Sequence, residues 1–271
     1  MSLTRRGFAS AIGALGLACG RASPPAPPAS HPFAGYDVVD LTHPLGPSSP
    51  YIHVRGATFP FRRAPIATIP ERGVYANRWE LTEHIGTHVD APCHFDEKAP
   101  CLEKIPLAEL FAEVVVIELA ARARANPDAE VSAADLSAWR LAHGPFPARS
   151  VVLLSSGWGA RWPSQSRFAN ADEAGIMRFP GFSRAAVEEL AAAPGVLGIG
   201  TDTFSIDPGN DAHFEGHRVL ARAGKWALEC LANLDRLPAQ GCHLFVGAPK
   251  VELASGAPAR VVAWVPRSHR K

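Results

Sequence analysis

The sequence predicts a single domain of mixed α/β class, and three observations carry that reading. Apolar, β-branched runs recur at residues 38–41, 114–119, 151–154, 196–199, 243–246 and 260–265, each with the length and composition of a strand. Helical patterns sit between them. Strands outnumber helices, no G-x-G-x-x-G follows a strand, and no linker interrupts residues 36–265, so the class is mixed α/β without a nucleotide-binding fingerprint.

The chain opens on Thr4-Arg5-Arg6-Gly7-Phe8, followed by a weakly apolar stretch over residues 9–18 that ends in small residues. Paired arginines ahead of a short apolar run have the build of an export signal. The run is roughly half of what spans a ~30 Å hydrocarbon core, so no transmembrane span is expected from it. It resembles a twin-arginine signal, which implies a periplasmic or cell-envelope location. Leu17-Ala18-Cys19-Gly20 is similar to a lipoprotein processing site that would lipidate Cys19, although Gly16 stands where a branched apolar residue is usual. Cleavage there removes Arg5 and Arg6 and takes the formal charge from +1 to −1. Residues 20–35 carry the tract Ser23-Pro24-Pro25-Ala26-Pro27-Pro28-Ala29-Ser30, an extended spacer with few backbone donors and little to bury. The expected organisation is therefore a signal over 1–19, a linker over 20–35 and a catalytic domain over 36–271.

Within the body, Ser132-Ala133-Ala134-Asp135 is a capping-box-like start to a helix carrying Leu136, Trp139 and Arg140. Ser183 opens a second helix with Val187, Leu190 and Ala191 on one face, stopped by Pro194-Gly195. A third is expected from about residue 225 to 232. With 27 Lys+Arg against 26 Asp+Glu and no basic run interleaved with aromatics, the electrostatic footprint of a nucleic-acid binder is missing. Cys93, Cys101, Cys230 and Cys242 contain no C-x-x-C pair, which excludes a cysteine-type structural zinc site. A disulfide is permitted in the periplasm, but a domain of this size does not call for one.

The chemistry is concentrated in His84-Ile85-Gly86-Thr87-His88-Val89-Asp90-Ala91-Pro92-Cys93-His94-Phe95. His84, His88, Asp90 and His94 are all even-numbered, so an extended chain projects all four from one face. A straight strand would still hold His84 about 13 Å from His88, too far for two ligands at ~2.1 Å from one cation. The segment must bend, and Gly86 is where bending costs least. Imidazole with carboxylate suits a divalent cation such as zinc or manganese, and the absence of nearby thiolates points to a catalytic site with open positions. The competing reading is a set of histidines satisfied by the core or the surface.

This segment resembles the signature of the metal-dependent cyclase superfamily, which includes bacterial kynurenine formamidases and isatin hydrolases. The likeness extends to Val39-Asp40-Leu41-Thr42-His43-Pro44-Leu45, Ser155-Ser156-Gly157-Trp158, Phe179-Pro180-Gly181-Phe182 and Gly198-Ile199-Gly200-Thr201-Asp202-Thr203-Phe204-Ser205-Ile206-Asp207. It implies a swivelling β/β/α-type domain that assembles as a homodimer or larger homo-oligomer. It also implies two divalent metals per chain, zinc or manganese. His84, His88 and Asp90 would hold one; Asp90, His217 and Glu229 would hold the second. His94 is carried over as proton donor and acceptor. His217 is preferred over His213 and Glu215 because it alone has Leu220 and Glu229 downstream in the family's spacing. Asp202 and Asp207 either orient ligand imidazoles or shape a turn, with the turn favoured, and His43 reads as structural.

The implied activity is hydrolysis of a carbon–nitrogen bond in an amide or lactam. N-formylkynurenine, cleaved to kynurenine and formate as by an arylformamidase, ranks first, and isatin-type lactam opening is the alternative. The formamidases tend to carry a Trp after the N-terminal motif where this chain has Pro50-Tyr51-Ile52-His53; Tyr51 is a candidate replacement wall, and Trp79 another. A non-catalytic metal-binding or ligand-binding protein is the reading from a different class, and His94, which a metal trap does not need, weighs against it. A serine or cysteine hydrolase lacks its Gly-x-Ser-x-Gly.

Overall fold

The computed structural model describes residues 33–269. The export signal, Cys19 and most of the linker lie outside the described residues. In chain order the strands are β1 (Tyr36–Asp40), β2 (Arg62–Ala67), β3 (Ala76–Glu80), β4 (His88–Asp90), β5 (Phe111–Glu118), β6 (Glu130–Val131) and β7 (Ser150–Ser155). They continue with β8 (Gly181–Phe182), β9 (Val196–Thr201), β10 (Trp226–Glu229), β11 (Cys242–Gly247), β12 (Gly256–Pro258) and β13 (Arg260–Pro266). The helices are α1 (Ile69–Arg72), α2 (Ala120–Ala125), α3 (Ala133–His143), α4 (Gln165–Ala169), α5 (Arg184–Ala192) and α6 (Glu215–Arg222).

Nine strands form one mixed sheet in the order β1-β13-β11-β5-β7-β9-β10-β4-β12. Its centre, β5-β7-β9-β10, is parallel, and both flanks are antiparallel. Parallel strands need crossovers that cover the sheet, which is why these four read as continuous apolar runs with no polar face. On one face Val115, Ile117, Val152, Leu154 and Ile199 pack under Leu136 and Trp139 of α3, Val187 and Leu190 of α5 and Leu220 of α6. The alternate residues, Val114, Val116, Val151 and Leu153, join Val89, Leu228, Leu244 and Val261 in a second core. A single residue, Ala259, separates β12 at one end of the order from β13 near the other, so the sheet curls until its two flanks share that second core. The observed class is a single mixed α/β domain.

The six expected strands form, and the two capped helices form where their Ser caps stand. Ser132 and Asp135 make the reciprocal capping box at the start of α3, and the Ser183 side chain accepts from the Ala186 N–H to start α5. The third expected helix does not form. Its apolar residues are β10, paired in parallel with β9 and buried at all four positions. A short apolar run has no period that separates a buried strand from a helix, and here the sheet decided. Among the described residues a disulfide joins Cys93 to Cys101, which also corrects the expectation that none was called for. A 3₁₀ turn at Pro92–His94 and the Cys93 N–H donating to the Pro100 carbonyl at 3.2 Å fold the chain back on itself, bringing the two Cα atoms to 4.9 Å.

The close fit of β9 on β10 is testable. A Cβ on Gly198 would fall inside the backbone oxygen and indole ring of Trp226, a fully buried side chain. Gly198→Ala should therefore destabilise the protein by about 2–3 kcal/mol, the usual scale of overpacking. A urea midpoint unchanged from wild type would show that β10 yields more easily than this packing implies.

Candidate active site

The site is built on β4, held between β10 and β12. Register places Glu229 of β10 directly opposite His88, and Ala227 opposite Asp90. Cross-strand partners share a face, so His88, Asp90 and Glu229 meet on one side of the sheet. His84 reaches the same point because the chain turns at Gly86, whose φ of 66° places it in the left-handed region that glycine tolerates best. The turn brings the His84 and His88 ring centroids to 5.3 Å. His217 arrives from α6, where it is buried at the start of the helix.

Asp90 is the shared member. Its Oδ1 lies 2.6 Å from His84 Nδ1 and 3.2 Å from His88 Nε2, while its Oδ2 lies 3.2 Å from His217 Nε2. Glu229 is shared in the same manner, with Oε2 3.3 Å from His88 Nε2 and Oε1 3.1 Å from His217 Nε2. Two groups can thus hold a cation: His84, His88 and Asp90, and Asp90, His217 and Glu229. Ligands about 2.1 Å from one ion stand roughly 3 Å apart, which is the spacing observed. His88 Nε2 is buried and makes no hydrogen bond although two carboxylate oxygens flank it, the arrangement of a ligand atom aimed at a central cation.

The far side of each buried imidazole is held. His88 Nδ1 donates to the Gly86 carbonyl at 2.8 Å, and His217 Nδ1 donates to Asp207 Oδ2 at 2.5 Å. Such partners select the tautomer and aim the free nitrogen. Asp207 therefore orients the His217 imidazole, where the sequence favoured a turn. Asp202 is a turn residue as expected, accepting from the Ser156 and Trp158 backbones. Glu215 pairs with Arg184, and His213 is exposed; neither joins the cluster. His43 stacks on Trp162 with centroids at 4.6 Å and is structural.

Burial alone would lower the pKa of His88, but the Asp90 and Glu229 charges override it and raise the value to about 10. His217 is likewise raised, by Asp207, Asp90 and Glu229 against its burial. Asp90 is held well below the usual carboxylate range by His84 and His88 despite its burial. Without a cation His88 and His217 thus hold protons that balance the Asp90 and Glu229 carboxylates. His94 is different. It is outside both ligand groups, stacked on His84 at 3.8 Å, and its pKa is lowered to about 4 by burial against the pull of Asp90.

Above this floor opens a cavity of about 300 Å³, walled by Tyr51, Ile52, Val54, Phe95, Phe204 and Phe214. Tyr51 takes the place anticipated for it, with its backbone gripped at both ends by the Gln165 side chain, at 2.9 and 3.0 Å. Trp79 does not line the cavity: it lies on β3, 67% exposed. Phe204 and Phe214 were not anticipated as wall residues, since isolated aromatics in a sequence carry no mark that separates a wall from packing. Cys230 also lines the cavity, but burial and the nearby Glu229 and Asp90 charges raise its thiol pKa well above the ordinary value, which keeps it from acting as a thiolate.

Fold and site together define a metal-dependent amidohydrolase. The chain belongs to the putative cyclase family, whose model matches residues 39–208. It is 32% identical to the isatin hydrolase of Roseibium aggregatum over 86% of this chain and 93% of that one. It is 27% identical to the kynurenine formamidase of Paracidovorax citrulli over 84% of this chain and 96% of that one. A solved isatin hydrolase bound to the product analogue thioisatinate superposes with a TM-score of 0.82 at 31% identity, covering 86% of this chain and 94% of the other.

The electrostatics generate a prediction. A cation must displace the proton that the metal-free His88, with its pKa of about 10, carries at neutral pH. Metal uptake should therefore release protons, and apparent affinity should climb about tenfold per pH unit for each proton displaced between pH 6 and 9. Chelator competition across that range checks it; a flat profile would remove the charged-histidine account of the metal-free cluster.

Proposed function

We propose that this protein opens the amide bond of a small aromatic lactam of the isatin type, with N-formylkynurenine and related aryl formamides as the second substrate class. The carrying observation is the joining of a polar, six-residue floor to an apolar, aromatic-walled cavity. A planar aryl amide fits that division, its ring against Tyr51, Phe95, Phe204 and Phe214 and its carbonyl toward His84, His88 and Asp90. The order of preference departs from the one the sequence suggests. Its support is the 31–32% identity to isatin hydrolases over 86% of the chain, together with Tyr51 in the place of the Trp that formamidases tend to carry.

Zinc or manganese, in one or both ligand groups, would supply a water of lowered pKa and a counter-charge for the carbonyl oxygen. The protein's own part is orientation and proton transfer. His88 and His217 are fixed by Gly86 and Asp207, and the buried Asp90 and Glu229 carboxylates draw the donor set together. His94 faces the cavity as a neutral imidazole, able to take a proton from the attacking water and return it to the departing nitrogen. Its stack on His84 and edge contact with Phe95 hold the ring in place.

The proposal extends to location and assembly. The enzyme works outside the cytoplasm, exported through its twin-arginine segment and, if Cys19 is processed, lipid-anchored. The Cys93–Cys101 disulfide supports export, because disulfides persist in oxidising compartments. The exposed Ile66, Ile69, Val74 and Tyr75 between and on the paired strands β2 and β3 support a homo-oligomer, since a two-stranded ribbon is marginal without cover.

His94→Ala is the discriminating variant. Metal content and melting temperature should stay near wild type, while kcat on isatin falls by about 10²–10⁴-fold, the span of a lost general acid or base. Loss of metal with rate would make His94 a ligand, and an unaltered rate would refute its role. Hydrolysis of isatin and N-formylkynurenine, before and after chelation, ranks the substrates; no chelator-sensitive turnover of either would overturn the proposal.

A further inference from the structure

Two of the ligand imidazoles have evident partners on their far side. The third, His84, has one that the family signature does not contain. Its Nε2 lies 2.9 Å from the Ser255 hydroxyl, contributed by the segment just before β12, 171 residues away in sequence. That hydroxyl lies 2.5 Å from Oε2 of Glu83, which also accepts the Ser255 backbone N–H at 3.2 Å.

The proton count along this row is constrained. A carboxylate can only accept, and a serine hydroxyl has one hydrogen. With Glu83 taking that hydrogen, the Ser255 oxygen must accept from His84, so the His84 proton stands on Nε2. A neutral imidazole has only one N–H, which leaves a lone pair on Nδ1. Nδ1 faces Asp90 Oδ1 at 2.6 Å. A contact that short needs a hydrogen on Nδ1 or a cation beside it, and with the Nε2 hydrogen held by Ser255 the one on Nδ1 is the one a cation replaces.

We infer that Glu83 and Ser255 are positioning residues for the metal site, a row that sets the tautomer of His84 and aims its Nδ1 at the cation. The row is rigidly registered to the site it serves. The Ala91 N–H donates to the Ser255 carbonyl at 2.8 Å, and Gly256, the next residue, pairs with Asp90. His84 lies flat against this turn: a Cβ on Gly256 would approach its Cε1 to 2.6 Å and its Nδ1 to 3.0 Å. Glu83 is half-exposed and Ser255 half-buried, so neither is needed to fill the core.

The inference rests on His84, His88 and Asp90 being ligands, and the experiment separates the two. Zn²⁺ affinity of the full chain is read by competition with a chromophoric chelator for wild type, Glu83→Ala, Ser255→Ala and Ser255→Thr, with thermal melts alongside. Removing Glu83 frees the Ser255 hydroxyl to donate to Nε2, which moves the imidazole proton to Nδ1. Affinity should fall about 10–100-fold in both alanine variants, with melting temperature little changed, and recover in Ser255→Thr, which keeps the hydroxyl. The absorption bands of Co²⁺-loaded Glu83→Ala should shift from those of wild type. In Zn²⁺-loaded wild type, ¹⁵N shifts should place the His84 proton on Nε2. Wild type that binds no Zn²⁺ would sink the metal site and this inference together. Wild type that binds, with both alanine variants binding equally well, or with the His84 proton on Nδ1, would overturn the inference alone.

Discussion

The architecture depends on one buried carboxylate placed where two sets of imidazoles can share it. Asp90 turns Oδ1 to His84 and His88 and Oδ2 to His217, all from the end of β4, which lies between β10 and β12. An isolated carboxylate at that depth would be too costly to keep ionised. It stays ionised because three imidazoles surround it, and they stay in place because β4 is paired on both sides. β4 can carry a polar face into the interior only if β10 delivers Glu229 opposite His88 and β12 delivers Gly256 opposite Asp90.

The cavity inherits this division of labour. In its floor His88, Asp90 and Glu229 come from paired strands and His217 from the start of α6, while His84 stands at the Gly86 turn and His94 on the 3₁₀ turn. Its walls come from loops: Tyr51 and Ile52 before β2, Phe95 after the 3₁₀ turn, and Phe204 after β9. Two devices steady those loops without entering the cavity. Gln165 grips the Tyr51 backbone, and the Cys93–Cys101 bridge closes the turn that carries His94 and Phe95. Paired strands and the start of α6 thus hold most of the floor, while loops carry the aromatic lining.

Much of this was legible in the sequence, for identifiable reasons. The central strands announce themselves because burial on both faces demands unbroken apolar runs, and α3 and α5 because Ser132 and Ser183 cap them. The clustering of His84, His88 and Asp90 was legible because the three lie within one turn and strand. What failed had no local signal. The residues of β10 form a strand only because β9 offers an edge and Gly198 makes room for Trp226. The disulfide depends on a reversal between Cys93 and Cys101 that spacing does not reveal. Asp207 read as a turn former because its role exists only once α6 brings His217 to it, and Ser255 lies at the opposite end of the chain from the histidine it touches.

The charge balance of the floor bears on which ligands the cavity admits and releases. Asp90 and Glu229 together offset the charge of one divalent cation, so a site holding one presents little net charge to an entering neutral amide. The apolar walls favour such a ligand by excluding water from its ring. Hydrolysis changes the ligand and leaves the walls as they were: ring opening of a lactam creates a carboxylate and an amine on the same aromatic frame. That carboxylate loses hydration beside Phe95, Phe204 and Phe214, and only the floor can compensate it. The same walls that draw in the neutral substrate therefore weaken the hold on a charged product, and binding and release are set by one surface acting on two charge states.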